Sequence, residues 1–178
     1  MVYDPCIYAE ALDIFSHDYL RWYPNDNGID VDKLILTPQL HAILTYRIAR
    51  LFFLGKEAGC GMGQKDILSN IGRMTGLSEL YYSAEIGLAL KINHGIGLVV
   101  GARCHIGNNC LLHQNVTLGD KNGGRPCLGD NSVVYAGASI LGNIQIGKNT
   151  VIGANSVVLH SFPDDAVLVG APAKNIKG

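Results

Sequence analysis

The sequence predicts a mainly β protein: a parallel β-helix of six-residue repeats preceded by an α-helical segment. Three observations predict it. First, an aliphatic residue returns every six positions in the second half of the chain, at Leu80, Ile86 and Ile92, at Val100, Ile106, Leu112 and Leu118, and at Leu128, Val134, Ile140, Ile146, Ile152 and Val158. Second, Gly often follows that aliphatic (Gly87, Gly101, Gly107, Gly119, Gly129, Gly147, Gly153), and a mainly small residue stands four places after it (Ala84, Cys104, Cys110, Ser132, Ala138, Thr150, Ser156). Third, the texture up to about Ser78 is different, with apolar residues spaced by three and four.

The helical part comes first. Tyr8 to Trp22 carries apolar residues at helix-like spacings, and the run Pro24-Asn25-Asp26-Asn27-Gly28 stops it. Pro38 opens a second helix at its first turn. Its stripe of Leu40, Ile43, Leu44, Ile48, Leu51 and Phe52 ends at Gly55 or at the Gly59 to Gly63 cluster. A third, shorter helix is expected over Asp66 to Met74.

The repeats follow. A six-residue unit cannot bury its own apolar face, so it must stack on its neighbours, each unit making one short strand and a corner. The aliphatic points inward, the small residue fits the crowded inner edge, and Gly or Asn permits the positive φ of the corner. Asn108, Asn109, Asn131, Asn149 and Asn155 fit that corner role. The period breaks twice, with two extra residues between Ile92 and Val100 and four between Leu118 and Leu128. Insertions in a solenoid collect on a functional face, so the active site is expected between these breaks.

Composition narrows the function. The chain of 178 residues is 48% hydrophobic and only 16% charged, which excludes a disordered chain. Lys and Arg total 14 against 15 Asp and Glu, so no global field favours nucleic acid. No apolar run is long enough to span a bilayer, and Met1-Val2-Tyr3-Asp4-Pro5 lacks the features of a signal peptide, so a cytoplasmic location is expected. The five cysteines (Cys6, Cys60, Cys104, Cys110, Cys127) are widely spaced without a CxxC pair and are expected to be reduced thiols.

Five stretches carry a family resemblance: Leu40-His41-Ala42-x-x-x-Tyr46-Arg47-Ile48; Asn93-His94-Gly95-Ile96-Gly97-Leu98-Val99-Val100-Gly101; Val116-Thr117-Leu118-Gly119; Gly137-Ala138-x-x-Leu141-Gly142-Asn143-Ile144-x-Ile146-Gly147; and Val169-Gly170-Ala171-Pro172-Ala173-Lys174. Over residues 38–178 the chain resembles the hexapeptide acyltransferases, and among them the serine acetyltransferases. That resemblance implies a left-handed coil, a homotrimer, and acetyl transfer from acetyl-CoA to a hydroxyl without a metal.

The resemblance also implies roles. His94 matches the family's catalytic base, since a hydroxyl needs a neutral imidazole to take its proton. Its orienting carboxylate lies fifteen residues earlier, here Glu79 where the family has Asp, with Glu85 as the alternative. Asn93, His113 and Arg125 are candidates for acceptor binding. Ala136, Gly137, Gly142, Gly153 and Ala154 are expected along the pantetheine arm, with Lys174 and Lys177 near the CoA phosphates. His94 and the loop over 119–127 would come from one chain and the later coils from its neighbour. His41 is expected in helix packing or a trimer contact, while His17, His105 and His160 are expected in solvent.

Within the matched motifs and the extruded loop the chain departs from the serine enzymes in two places. They have Asp immediately before the catalytic histidine, where Asn93 stands here, and their loop carries Asp-Arg-His-Pro, where this chain has Gly123-Gly124-Arg125-Pro126. The neutral Asn93 suits an uncharged acceptor such as a saccharide, whereas the Leu40-His41-Ala42 and Tyr46-Arg47-Ile48 helix favours serine. Two other classes are weighed. One is a zinc enzyme of the carbonic anhydrase type using His94, His105 and His113; the other is a β-helix scaffold that binds no acetyl-CoA. The expected organisation is a helical segment over 1–78 and a β-helix over 79–178 with an extruded loop, 119–127, and a cap from Val167.

Overall fold

A computed structural model describes residues 5–55 and 63–177. The Met1–Asp4 stretch read for a leader, Cys60, and Gly59 and Gly61 of the alternative helix stop lie outside the described residues. Four helices precede the strands: α1 (Pro5–Trp22), α2 (Val31–Leu36), α3 (Pro38–Phe53) and α4 (Gln64–Gly76). Among the described residues no helix is long and apolar enough to cross a membrane.

From Ser78 the chain winds as a parallel β-helix with three faces. The first stacks β1 (Ser78–Leu80), β4 (Leu98–Val100), β7 (Thr117–Gly119), β10 (Ser139–Leu141) and β13 (Val157–Val158). The second stacks β2 (Glu85–Ile86), β5 (His105–Ile106), β8 (Cys127–Leu128) and β11 (Gln145–Ile146). The third stacks β3 (Lys91–Asn93), β6 (Leu111–His113), β9 (Val133–Val134), β12 (Val151–Ile152) and β14 (Val167–Val169). The final strand, β15 (Lys174–Asn175), folds back antiparallel on β14, making the expected cap a small hairpin.

The six-residue rhythm is a burial rhythm. All the aliphatics of the repeat, from Leu80 to Val158, are at most 7% exposed, each fully buried one contributing about 1.5–3 kcal/mol of transfer free energy. The small-residue slots from Ala84 to Ser156 are fully buried. Cys104 and Cys110 occupy two of them, and burial pushes both thiols up to about 11, so they serve as small core residues.

The corner between the second and third faces shows why Asn recurs. Ala89, Asn109, Asn131, Asn149 and Asp165 all have positive φ there. Asn109 donates its side-chain amide to Asn131 (2.9 Å), Asn131 to Asn149 (3.0 Å) and Asn149 to Asp165 (3.2 Å). The same residue type thus supplies left-handed backbone and a ladder between coils. Asn155 has positive φ at the next corner, but Asn108 does not. Its amide oxygen instead accepts from the Leu88 N–H of the preceding coil at 2.8 Å, correcting its expected corner role.

The helices differ from expectation at their edges. α1 begins at Pro5 rather than Tyr8, α4 extends to Gly76, and α3 starts at Pro38 as expected and stops before Gly55, whose φ is 72°. The short helix α2 was not expected. It is started by Asp30, whose carboxylate accepts from the N–H groups of Asp32 and Lys33 (2.9 and 3.2 Å). None of its residues is buried, so it carries no amphipathic stripe to read.

The helices close the open edge of the first coil. Strand β2 bonds to β5 on one side, leaving Ala84 C=O, Ile86 N–H and Ile86 C=O pointing the other way. The Tyr46 hydroxyl of α3 donates to Ala84 O (2.9 Å) and accepts from Ile86 N–H (3.2 Å). Arg47 donates to Ile86 O (2.7 Å) and Gly87 O (2.6 Å). It is held by two 2.9 Å bonds to the carboxylate of Asp18 on α1, which also accepts from Leu90 N–H at 2.7 Å. Burial raises the Asp18 carboxyl above its ordinary range against the opposing pull of Arg47, which marks a costly ion pair kept for its geometry.

Arg47→Met strands Asp18 in the core, and denaturant unfolding is expected to show a loss of about 3–5 kcal/mol. The double variant Asp18→Leu/Arg47→Met is expected to lose less than the single one. Thiols titrating near pH 11 leave only about one in 10³ ionised at pH 8, so Cys104 and Cys110 should resist iodoacetamide in the native protein and react once it is unfolded, as read by peptide mass spectrometry.

Candidate active site

The first period break forms a corner between the third and first faces. Strand β3 ends at Asn93, and His94, Gly95 and Gly97 all have positive φ (64°, 75° and 72°) before β4 begins. Two neighbours fix this turn. Gln39, in the first turn of α3, donates its amide to His94 O at 2.6 Å, and the buried Ser78 hydroxyl donates to Gly95 O at 2.9 Å. The His94 side chain is exposed and makes no hydrogen bond to the described residues. A firmly held backbone thus carries an imidazole open to solvent.

The strand bearing Glu79 starts at the same corner, since Gly97 N–H donates to Leu77 O at 3.1 Å. Within the protomer Glu79 and His94 share no bond. The Glu79 carboxylate lies 3.6 Å from Arg73 of α4, and both line a cavity of about 90 Å³ with Asp66, Ser69, Asn70, Tyr81 and Tyr82. Glu85 faces outward from β2 on the second face, 3.5 Å from His105, and so is removed from the His94 corner.

Asn93 and His113 stand opposite each other in the β3–β6 register, with Asn93 Nδ2 and His113 Nε2 3.3 Å apart. His113 Nδ1 is 3.0 Å from Val134 O, and its ring stacks on Tyr135 at 4.9 Å between centroids.

Four of the residues expected along the pantetheine arm share the His94 corner, lower in the stack. There Asn115 N–H donates to Ile96 O, Gly137 N–H to Gln114 O and Asn155 N–H to Ala136 O, one coil after another. Ala136, Gly137, Gly153 and Ala154 therefore lie on one column of corners with His94. Gly142 follows β10 at the opposite edge of the first face, and Lys174 is exposed in the terminal hairpin. The residues expected along the pantetheine arm are thus divided between the His94 column, the opposite edge of the first face and the terminal hairpin.

The second period break sits at that opposite edge. Asn122 and Gly123, with φ of 54° and 81°, make a two-residue hairpin closed by the Lys121–Gly124 bridge. Arg125 is turned into the loop, donating to Ala102 O (2.8 Å) and Gly124 O (3.0 Å) and ion-paired with Asp120. Among the described residues no three His, Cys, Asp or Glu side chains gather as a metal-ligand set, and His105 lies on a different face from His113.

The pattern of the family described as "Bacterial transferase hexapeptide (six repeats)" matches residues 128–160. A serine acetyltransferase of Synechococcus elongatus is 38% identical over 154 residues, covering 84% of this chain and 61% of the relative. The solved structure titled "Serine Acetyltransferase- Complex with CoA" superposes with a TM-score of 0.81 at 30% identity, covering 94% of this chain and 70% of that one. The chain belongs to the serine acetyltransferase family. The serine acetyltransferase of Neisseria gonorrhoeae in complex with serine matches at 34% identity and a TM-score of 0.76, covering 96% of this chain and 69% of that one. A coil wound with the opposite hand would not superpose in this way, so the hand is the family's. The chain spans about three fifths of the length of the Synechococcus relative.

Within this family member, sequence reasoning missed the residues that hold the site. Gln39 and Ser78 carried no catalytic signature, and their role shows only once α3 and β1 are brought to the corner. Gln114 was not singled out, yet its buried side-chain oxygen has no hydrogen-bond partner among the described residues. Tyr135, stacked on His113, follows directly after a repeat aliphatic, and its outward position was legible from the alternation of β9.

A Cβ added at Gly95 would stand 2.7 Å from Ser78 Oγ, 3.1 Å from Ile92 Cγ2 and 3.2 Å from Gln39 Cγ, on a backbone with positive φ. Gly95→Ala is therefore expected to cost about 1–3 kcal/mol in denaturant unfolding and to displace the His94 turn.

Proposed function

We propose that the protein is an acetyl-CoA-dependent O-acetyltransferase, with L-serine as the acceptor. The observation that carries this reading is that each protomer presents two half-sites on one column of corners, an exposed imidazole at His94 and the small residues Ala136, Gly137, Gly153 and Ala154 below, each to be completed by a neighbouring copy. Small corners let an extended thioester arm approach the backbone, while Gly142, at the opposite edge of the first face, and Lys174, in the terminal hairpin, lie off this column. The relatives support the substrates: one similar structure is titled as a complex with CoA, and the Neisseria gonorrhoeae one as a complex with serine.

In this reaction the neutral imidazole of His94 takes the proton of the acceptor hydroxyl as its oxygen attacks the thioester carbonyl. The tetrahedral oxyanion is held by a backbone N–H of a glycine-rich turn. Its collapse breaks the C–S bond, and the departing CoA sulfur receives the proton from His94, leaving an O-acetyl ester and CoA thiol. Glu79 orients the ring. Its ion pair with Arg73 is half exposed, and such pairs are weak enough to exchange partners.

Three identical copies complete the site, each cleft combining the His94 corner and the 119–127 loop of one copy with the later coils of the next. The flat third face supports this, since its outward row of Leu111, Val133, Val151 and Val167 is only partly covered within one protomer. Arg125 then braces the loop that borders the acceptor, through Asp120 and Ala102. Free Cys104, Cys110 and Cys127 support a working place in the reducing cytoplasm.

A second reading, with a saccharide as acceptor, is favoured by one observation: Asn93 beside His94 is neutral and is bonded to His113 rather than to a charge. Thiol release from acetyl-CoA, measured against L-serine, homoserine, nucleotide sugars and glycans, separates the two. His94→Ala is expected to lower kcat by about 10²-fold or more, and unchanged turnover would remove His94 as the base.

A further inference from the structure

The geometry points to His113 as a positioning residue that locks the side-chain amide of Asn93, so that Asn93 offers its carbonyl oxygen, and not its NH₂ group, to the acceptor beside His94. The inference rests on the O-acetyltransferase reading and deepens it by stating what the acceptor subsite recognises.

The Val134 carbonyl sets the tautomer of His113. That backbone oxygen can only accept, so His113 Nδ1, 3.0 Å away, must carry a proton. In a neutral ring the other nitrogen, Nε2, is then an acceptor. The group facing it at 3.3 Å is Asn93 Nδ2, which donates. With its nitrogen committed to His113, the Asn93 amide has its oxygen on the opposite side. The Tyr135 ring, stacked on His113 at 4.9 Å and 25°, keeps the imidazole in this plane. One backbone carbonyl therefore sets a tautomer, the tautomer sets an amide, and the amide sets the polarity of the subsite one residue from His94.

The recognition chemistry follows. An uncharged carbonyl oxygen accepts from an O–H as readily as from an N–H and gives no charge-based preference for a cationic amine. The subsite thus takes acceptors that present a second hydrogen-bond donor near the reacting hydroxyl, whether the amine of serine or a neighbouring hydroxyl of a sugar.

Two measurements test this. Long-range ¹H–¹⁵N spectra of the histidine rings in the labelled native protein are expected to show the neutral His113 ring protonated at Nδ1 and unprotonated at Nε2; the reverse tautomer overturns the inference whatever the enzyme's activity. In kinetics, His113→Leu is expected to raise the acceptor KM about 10-fold, the loss of one well-placed hydrogen bond, with a much smaller change in kcat and in the KM for acetyl-CoA. Asn93→Leu should give a similar rise, the double variant no more than either, and His113→Gln, whose carbonyl also accepts from the Asn93 amide, should recover most of the loss. Additive effects, or a fall in kcat alone, would count against the chain of bonds. If no acceptor on the panel is acetylated by the unaltered protein, the acyltransfer reading fails, and the ring spectra still decide the tautomer.

Discussion

The open edge of strand β2 is the constraint on which the rest of the molecule depends. A coil at the start of a stack has backbone groups with no strand above them, and buried groups of that kind each cost about 1–3 kcal/mol if left unpaired. Here they are met by side chains, the Tyr46 hydroxyl and the Arg47 guanidinium, the latter anchored by Asp18. Because Tyr46 and Arg47 are adjacent on α3, satisfying the edge fixes both the position and the rotation of that helix. The first turn of α3 then arrives over the His94 corner, where Gln39 bonds the His94 carbonyl. Edge closure and the geometry of the His94 corner are thus consequences of one docking event.

The interior follows the same logic of shared duties. The core of the coils and that of the helices form one cluster, in which Phe15, Tyr19, Leu40 and Ile43 pack with Leu80, Leu90 and Ile92. A second, smaller cluster of Ile7, Ala11 and Leu51 holds the far ends of α1 and α3 together. The helical segment therefore shares its apolar interior with the stack, and a disturbance of α1 or α3 is felt at the strands next to His94.

What the sequence made legible was whatever repeats locally. Leu80 through Val158 could be assigned to the interior from spacing alone, and the two period breaks marked the His94 corner and the Arg125 loop. What stayed hidden depends on parts of the chain that meet only on folding. The Arg47–Asp18 pair joins two helices that the sequence separates widely, so nothing in the pattern of either reveals it. Asn108 and Asn109 are neighbours of one type, yet one turns the chain while the other reaches back a coil to Leu88. Glu79 was legible as a carboxylate at a suggestive interval from His94, but its contact with Arg73 depends on where α4 lies. His113 lay in the right register, and its meaning came from the Val134 carbonyl one coil further on.

The two ends of the stack also decide how it can grow. A parallel solenoid with a bare terminal strand invites another to continue it, the route by which such folds polymerise into fibres. Here one terminus is plugged by helices, and the other by β15, which runs against β14 and so breaks the direction any added coil would need. Both open edges of the stack are thus blunted against fibre-like growth along its axis.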